Sequence, residues 1–459
     1  MAGRLQARRR TTRLGLLAGA ALILVIVLAA AGCGSSSTSS TATPSPAASG
    51  TGLAKVGGTI TVMYHYPAPP KYMLDQFTAQ TGVKVNWVQI GWDNLQTKIA
   101  TAASSNTYFA DLTDVDWSKV GEYAKTKWFV PLNSYFDPTT LKADVPQIDT
   151  FMANGQLLAM PFDASFTVTT VNTKLFSKAG ITTMPTTLTE YTNDLKQIKA
   201  KGVVTSPLDI PFAAAEGLST YWYQVTAAFG GQVLDANLDP AFTSPSSPGY
   251  KALAWMIDAY KSGLVPQANI GMTDYQGFTT EMAQGRVASV FSDYAGSVGS
   301  IYNVPSTSTV VNQVRYTAVP GVSGPAPSLA NPDGVGIPVT AKNKQGAIEF
   351  IKWFTEPQNQ AIWAGLDGAK GVIGGFPMPM RVSSLKMLAS ANKYAGASDL
   401  EALLGASRAE FPGTGAPSWY AQFSNAVYTN IHQAAAGSET VAQAINNIAA
   451  QVKSLKATQ

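Results

Sequence analysis

Cysteine and histidine are scarce in this 459-residue chain, and each scarcity removes a class of chemistry. Cys33 is the only cysteine, so no intramolecular disulfide can form and a two-cysteine metal site is excluded. The two histidines, His65 and His432, stand far apart in the chain and give a histidine-based triad little to build on. There is no G-x-S-x-G elbow, no H-E-x-x-H, no phosphate-binding G-x-x-x-x-G-K-[ST] and no calcium-loop spacing. Charge is sparse too: 13% of residues against a usual ~25%. The surface is therefore rich in Ser, Thr, Asn, Gln and Gly. Lys and Arg exceed Asp and Glu by four, but residues 1–32 carry five Arg and no acid, so the remainder has a net charge of −1. The basic balance thus belongs to the first residues, and no basic patch points to nucleic acid.

Long apolar runs are limited to residues 14–32, which follow Arg4, Arg8, Arg9, Arg10 and Arg13 and are of roughly membrane-spanning length. The next residues, Ala30-Ala31-Gly32-Cys33, resemble the lipobox at which bacterial signal peptides are cut before a lipid-modified cysteine, with Ala30 where Leu is usual. That resemblance implies a signal peptide over 1–32 and acylation of Cys33, which also accounts for an unpaired thiol in an exported chain. The alternative is a retained transmembrane anchor. Acyl chains contribute about 0.8 kcal/mol per buried methylene, so more than one chain holds a protein firmly on a membrane. Residues 33–56, rich in Ser, Thr and Pro, have too little apolar bulk to offset the entropy of folding and read as a flexible tether. About 400 residues remain, enough for two domains.

After the tether the pattern alternates strand and helix. Thr59 and Thr61 alternate with Ile60 and Val62, the mark of a half-buried strand. A helix over 71–80 follows, closed by Thr81-Gly82, then a strand carrying Val83, Val85 and Trp87, a helix opened by Trp92-Asp93, and a third strand over 109–115. This order predicts a mostly parallel sheet covered by helices. Further on, Thr187 and Glu190 have capping-box spacing, a structural feature, and residues 344–355 form an amphipathic helix. Trp353 and Trp363 fall in amphipathic helices and read as core.

The stretch over 155–180 joins the two halves: extended segments at 156–161 and 166–171, with the polar break Phe162-Asp163-Ala164-Ser165 between them. It resembles the extracellular solute-binding proteins of ABC importers, especially the group that binds sugars and oligosaccharides (the maltose-binding-protein-like family 1). The matching positions are Gly155, Ala159, Pro161, Asp163, Asn172, Lys178, Ala179 and Gly180. The pattern Q-F-x-x-x-T-G-V-K-V from Gln76, Ala110-Asp111-Leu112 and the W-x-V-P-L turn from Trp128 match as well, and the resemblance covers about 57–377. It implies an α/β, two-lobed periplasmic-binding-protein-like fold (type II), each lobe a mostly parallel sheet flanked by helices, with a multi-segment hinge. The expected division is 57–163 with 288–337 for the N-terminal lobe, and 164–287 with 338–459 for the C-terminal lobe.

In parallel α/β sheets ligands collect beyond the carboxyl ends of strands. That rule and the resemblance select the same candidates: Tyr64, His65 and Tyr66, then Trp92, then Asp114, Asp116 and Trp117, then Asp163 at the crossing, and Asp293 with Tyr294. Trp222 enters on the resemblance alone, and Gly374-Gly375-Phe376-Pro377 is a loop that the family often places near the cleft. Sugars need aromatic faces for their C–H surfaces and carboxylates or amides for their hydroxyls. Each candidate has a structural alternative: core packing for Trp92 and Trp117, helix capping for Asp116, a hinge hydrogen bond for Asp163, a polar loop role for His65. The resemblance implies a monomeric binding subunit, not an enzyme, with no cofactor and no metal. It would capture a small-molecule carbohydrate, deliver it to permease subunits served by a separate ATPase, and stand on the membrane through its lipid anchor. Four acids near one cleft would also suit a polyamine or other cation, and a surface-tethered glycoside hydrolase needs only two carboxylates.

Overall fold

The alternation over the first strand becomes a burial pattern: Ile60, Val62 and Tyr64 are fully buried while Thr59 faces solvent. In the computed structural model of the chain, residues 52–273, 276–368 and 378–458 are described. The leader 1–32, Cys33, the tether up to residue 51 and the Gly374-Gly375-Phe376-Pro377 loop lie outside them. Among the described residues no helix is long and apolar enough to cross a membrane.

Two sheets form, each with its own core. The first has the order Lys84–Gln89, Thr59–Tyr64, Leu112–Asp116, Asp333–Gly336, Met160–Pro161. Its first three strands are parallel, and Asp333–Gly336 runs against both neighbours. The second has the order Val314–Thr317, Thr167–Asn172, Ser289–Tyr294, Leu208–Asp209. There Thr167–Asn172 runs against both neighbours, while Leu208–Asp209 is parallel to Ser289–Tyr294. In each sheet, then, all strands but one point the same way, and the reversed strand is the one that has just arrived from the other sheet. The reversed strand of the first sheet needs glycine: a Cβ on Gly334 would lie 2.5 Å from the Phe151 ring, and one on Gly336 2.6 Å from Val115.

The strand pairing corrects the expected division of the chain. Ser289–Tyr294 and Val314–Thr317, expected in the N-terminal lobe, belong to the second sheet. The helices Lys344–Phe354 and Pro357–Trp363, expected in the C-terminal lobe, cover the first sheet, because Phe350 and Trp353 pack on Phe77 at 5.4 and 5.2 Å, and Phe354 stacks on Phe162 at 4.5 Å. The tether also ends earlier than expected. Leu53 and Val56 pack against the first core, and the Val56 and Gly57 amides donate to Thr81 O at 2.9 and 3.0 Å.

Local signals place the remaining elements. Lys71–Thr81 ends at Gly82, whose φ of 74° is the left-handed conformation that closes a helix. Thr187 and Glu190 form the expected capping box at the start of Leu188–Ala200. In the second sheet Val290 and Phe291 point to opposite faces, one toward Tyr302, Tyr316 and Leu388, the other toward Trp222 and the helices Tyr420–Ala436 and Val441–Ala457. Trp353 and Trp363 are core, as their helical spacing indicates.

Candidate functional site

The first strand delivers three aromatic rings in a row to its carboxyl end. The Tyr64 hydroxyl is buried and donates to Gly334 O on the reversed strand at 3.0 Å. The His65 ring lies 5.0 Å from the Tyr64 ring and 4.1 Å from that of Tyr66. Its Nε2 is 3.3 Å from Asp333 Oδ2. Tyr66 donates to Asp163 Oδ2 at 3.0 Å, and the Asp333 amide donates to Asp163 Oδ1 at 3.1 Å. Beside them Asp333 is paired with Asp116 and Val335 with Asp114 in the ladder. Because side chains alternate along strands, Asp114, Asp116 and Asp333 share one face of the sheet.

Three buried carboxyls in this corner are held far from their ordinary acidity. Burial, then the neighbouring charges of Asp333 and Asp116, pushes Asp114 well above the usual carboxylate range. Burial, then Asp333, raises Asp163 to about 7 and Asp116 to about 6. At His65 burial acts downward, but the Asp333 hydrogen bond and the charges of Asp333, Asp163 and Asp116 outweigh it, so its pKa is raised. The hydrogen bonds within the corner are few. Asp114 Oδ2 accepts from Gln96 Nε2 at 2.5 Å, and Asp116 accepts from the Ser118 amide at 2.8 Å and from its hydroxyl.

Next to this corner a small cavity of about 20 Å³ opens between residues of the two lobes. Trp117, which follows Asp116, forms one wall; Thr167, Tyr223, Asn331 and Glu410 form the others. The Trp117 ring meets Tyr420 edge-on at 5.1 Å. Burial pushes the Glu410 carboxyl up to about 8, with Arg408 acting in the opposite direction. The two sides also touch through the backbone, where the Gly121 amide donates to Ala416 O at 3.0 Å. The cavity thus offers an aromatic wall, a phenol, an amide and a buried carboxyl, but as it stands it has room for about one water molecule, far below the roughly 300–1,000 Å³ of clefts that hold drug-sized ligands.

The expected residues divide into three groups. Tyr64, His65, Asp114, Asp116 and Asp163 come together in the corner, with Trp117 in the adjoining cavity. Asp116 also caps the turn Trp117–Lys119, and Asp163 also holds the crossing, so the structural alternatives for both are realised as well. Trp92, 41% exposed at the start of Trp92–Ser105, lies one helical turn before Gln96 on the same face. Two expectations are corrected. Trp222 is fully buried, donates its Nε1 to Gly249 O at 2.9 Å and packs edge-on to Phe242, so it belongs to the second core. Asp293 is buried in a separate network, accepting from Thr170 Oγ1 at 2.6 Å and the Tyr302 hydroxyl at 2.7 Å; burial raises it to about 6. Tyr294 is half-buried against the cluster that holds Tyr302 and Tyr316 and stands opposite Thr167 in the ladder.

Four residues escaped the sequence reading: Gln96, Asp333, Tyr223 and Glu410. Asp333 had a signal, since the Asn331-Pro332 pair immediately before it is a turn-type dipeptide. Tyr223 adjoins Trp222, and only the helix rotation decides which of the two faces the cavity. Glu410, from a segment with no motif, had none.

This arrangement, acids and rings at strand ends beside a cavity walled by two sheets, suits capture of a polar solute. The sequence profile of the family described as bacterial extracellular solute-binding protein matches residues 65–361. The chain belongs to that family. Among curated relatives, the diacetylchitobiose binding protein DasA of Streptomyces coelicolor is 24% identical over 327 residues, covering 69% of this chain and 73% of that protein. Solved structures share the two-lobed fold. Maltose-bound MalE3 of T. maritima has a TM-score of 0.68 at 20% identity, covering 86% of this chain and 99% of its own. The cyclic alpha-maltosyl-1,6-maltose binding protein of Arthrobacter globiformis has 0.71 at 21%, covering 87% and 99%. The sugar-binding protein MalE of Xanthomonas citri has 0.72 at 17%, covering 87% and 98%. As a solute-binding protein of this fold, the chain carries its candidate site where the two lobes meet.

Proposed function

We propose that this solute-binding protein is the substrate-binding subunit of an ABC importer, that it captures a carbohydrate, an oligosaccharide in particular, between its lobes, and that it hands the sugar to membrane permease subunits. The observation that carries this reading is the cavity shared by Trp117 from one lobe and Tyr223 and Glu410 from the other. An aromatic face and a carboxyl at a partly enclosed site are what a pyranose ring needs. The names of the relatives agree: one binds diacetylchitobiose, others maltose or a cyclic maltosyl sugar. The cavity is small for an oligosaccharide, so loading requires the lobes to open and then close on the ligand. His65, Trp92 and Asp116 would line the approach from the N-terminal lobe and Tyr294 from the C-terminal lobe, with Tyr64, Asp114 and Asp163 buried behind them.

A cationic solute is the second reading, and one observation favours it: among the described residues no Lys or Arg pairs with Asp114, Asp163 or Asp333. A thermal-shift screen against saccharides, polyamines and amino acids, followed by calorimetry, separates the two. Ligand at a hundred times Kd raises stability by about 2.7 kcal/mol. A shift with one saccharide class and no product formed supports the carbohydrate reading. A shift with polyamines alone replaces it, and cleavage of an oligosaccharide would show a hydrolase. For the anchor, we propose acylation at Cys33 after removal of 1–32, placing the protein as a monomer on the outer face of the cell membrane. Intact-mass measurement of the membrane-extracted protein should then show a chain that begins at Cys33 and carries added acyl mass, and an uncut chain that keeps residues 1–32 would refute acylation.

A further inference from the structure

Asp111 shows how this fold satisfies a structural aspartate: its carboxylate accepts from the amides of Thr61, Lys342 and Asn343 at 2.7 to 2.9 Å. Asp114, three residues on and fully buried, is treated differently. Gln96 takes Oδ2, and among the described residues Oδ1 has no hydrogen-bond partner. Two further buried polar atoms nearby, His65 Nδ1 and Gln96 Oε1, likewise have no partner among the described residues. Leaving such atoms unpaired costs about 1–3 kcal/mol each, and more for a charged group. Like charges placed opposite each other on a sheet, as Asp116 and Asp333 are, add to the cost.

We propose that His65, Asp114 and Asp333 form a binding site for a divalent transition-metal ion of the zinc class. One potential ligand atom from each of the three lies within 4.8 Å of the others. Ligand atoms around tetrahedral zinc, at bonds of about 2.0–2.2 Å, are roughly 3.3–3.6 Å apart. The three groups therefore have to close by at most about 1.5 Å. His65 and Asp333, at 14% and 17% side-chain exposure, sit at the edge of the corner and can turn, while Gln96 holds Asp114 in place. An imidazole with two carboxylates suits zinc or manganese, whereas calcium takes six to eight oxygens. The support expected behind metal ligands is present too: the Gln96 amide on Asp114 and the Tyr66 hydroxyl 3.4 Å from Asp333 Oδ2. A small ion also fits this corner better than an organic amine, because Asp114 has no exposed surface for a larger group to touch. Three protein ligands leave a coordination position for water.

The inference does not depend on the carbohydrate reading and is tested without sugar. Untagged protein stripped with chelator is dialysed against Zn²⁺, Mn²⁺, Ca²⁺ or Mg²⁺ and its metal content measured, and Co²⁺ is used as a spectroscopic probe. We expect about one Zn²⁺ per chain at micromolar free metal, and visible absorption bands from bound Co²⁺. Asp114→Asn, nearly isosteric, and His65→Gln should each weaken Zn²⁺ binding at least ten-fold. Thermal melts without metal check the fold, and Asp333→Asn, at a partly exposed position, serves as a third variant. Stoichiometry near zero, equal affinity in wild type and all three variants, or a site that takes Ca²⁺ and not Zn²⁺ would overturn the assignment.

Discussion

Adding one methyl group at Gly121 should weaken ligand binding without weakening the fold. Gly121 lies in the helix Val120–Thr126 on the first lobe, and its amide donates to Ala416 O on the second at 3.0 Å. A Cβ on residue 121 would sit 2.1 Å from that same oxygen and 3.2 Å from the Ala416 and Pro417 carbonyl carbons. The obstacle is backbone on both sides, so no side chain can swing away. Restoring ordinary contact takes about 1 Å of separation, and the closest lobe-to-lobe contacts then loosen together: the hydrogen bond, worth about 0.5–1.5 kcal/mol, and the Trp117–Tyr420 ring pair, worth about 0.5–1.5 kcal/mol. Together they amount to about 1–3 kcal/mol against the closed arrangement, a factor of roughly 5–150 in the equilibrium between closed and open forms. Meanwhile alanine in place of glycine favours the helix by up to about 1 kcal/mol.

The expected outcome for Gly121→Ala is therefore a Kd raised by one to two orders of magnitude for whichever ligand the screen identifies. The melting temperature of the ligand-free protein should be unchanged or slightly higher, and the radius of gyration in small-angle scattering larger. Gly91→Ala, where a Cβ meets nothing within 4 Å, is the control and should behave as wild type. Unchanged affinity together with unchanged scattering would refute the reasoning, since a methyl group cannot occupy that space with the contact intact.

Three further outcomes follow from the same geometry. Glu410 has its folded pKa near 8 against an ordinary 4.5, so between those values the unfolded chain ionises while the folded one keeps its proton. Wild type should lose stability relative to Glu410→Gln as pH rises through that window, by up to about 3–5 kcal/mol, with a constant difference above it; a pH-independent difference in urea midpoints would contradict the assignment. Trp222→Ala should cost about 3–5 kcal/mol, because a fully buried indole and its bond to Gly249 are lost; denaturant unfolding measures it, and a loss under 1 kcal/mol would remove Trp222 from the core. Trp117→Ala, at a half-buried ring, should do the reverse, weakening ligand binding by ten-fold or more in calorimetry with little change in melting; wild-type affinity would take the ring out of the site.

What could be read in advance follows from the range of each signal. Ile60, Val62 and Tyr64 declare a strand by local alternation, and Thr187 with Glu190 declare a helix start, because neither depends on the rest of the chain. The division into lobes depends on which strand pairs with which, and Ser289–Tyr294 looks the same in sequence whether it lies beside Leu112–Asp116 or beside Thr167–Asn172. Likewise Tyr221, Trp222 and Tyr223 are three adjacent rings in one helix, and a rotation of about 100° per residue settles which of them meets the cavity. Acids at strand ends were legible because strand direction fixes where those ends gather. Asp333 was overlooked because it begins its strand, and it joins the others only because that strand is reversed.

That reversal ties the hinge to the site. The chain leaves the first sheet after Met160–Pro161 and returns at Asp333–Gly336, and each crossing has an aspartate at its end on the first lobe, Asp163 and Asp333. These two are joined directly, the Asp333 amide donating to Asp163 Oδ1 and the Phe162 amide to Asp333 O at 2.8 Å. Slightly beyond, Ser165 Oγ donates to Asn331 Oδ1 at 3.0 Å, and Asn331 is already a wall of the cavity. The two crossing segments are thus tied to each other beside the cavity, at Asp163 with Asp333 and at Ser165 with Asn331. A group bound by those aspartates and by Tyr223 or Glu410 would be in contact with both lobes. Its binding free energy then acts on the hinge itself, which is how a site with few contacts can select the closed arrangement.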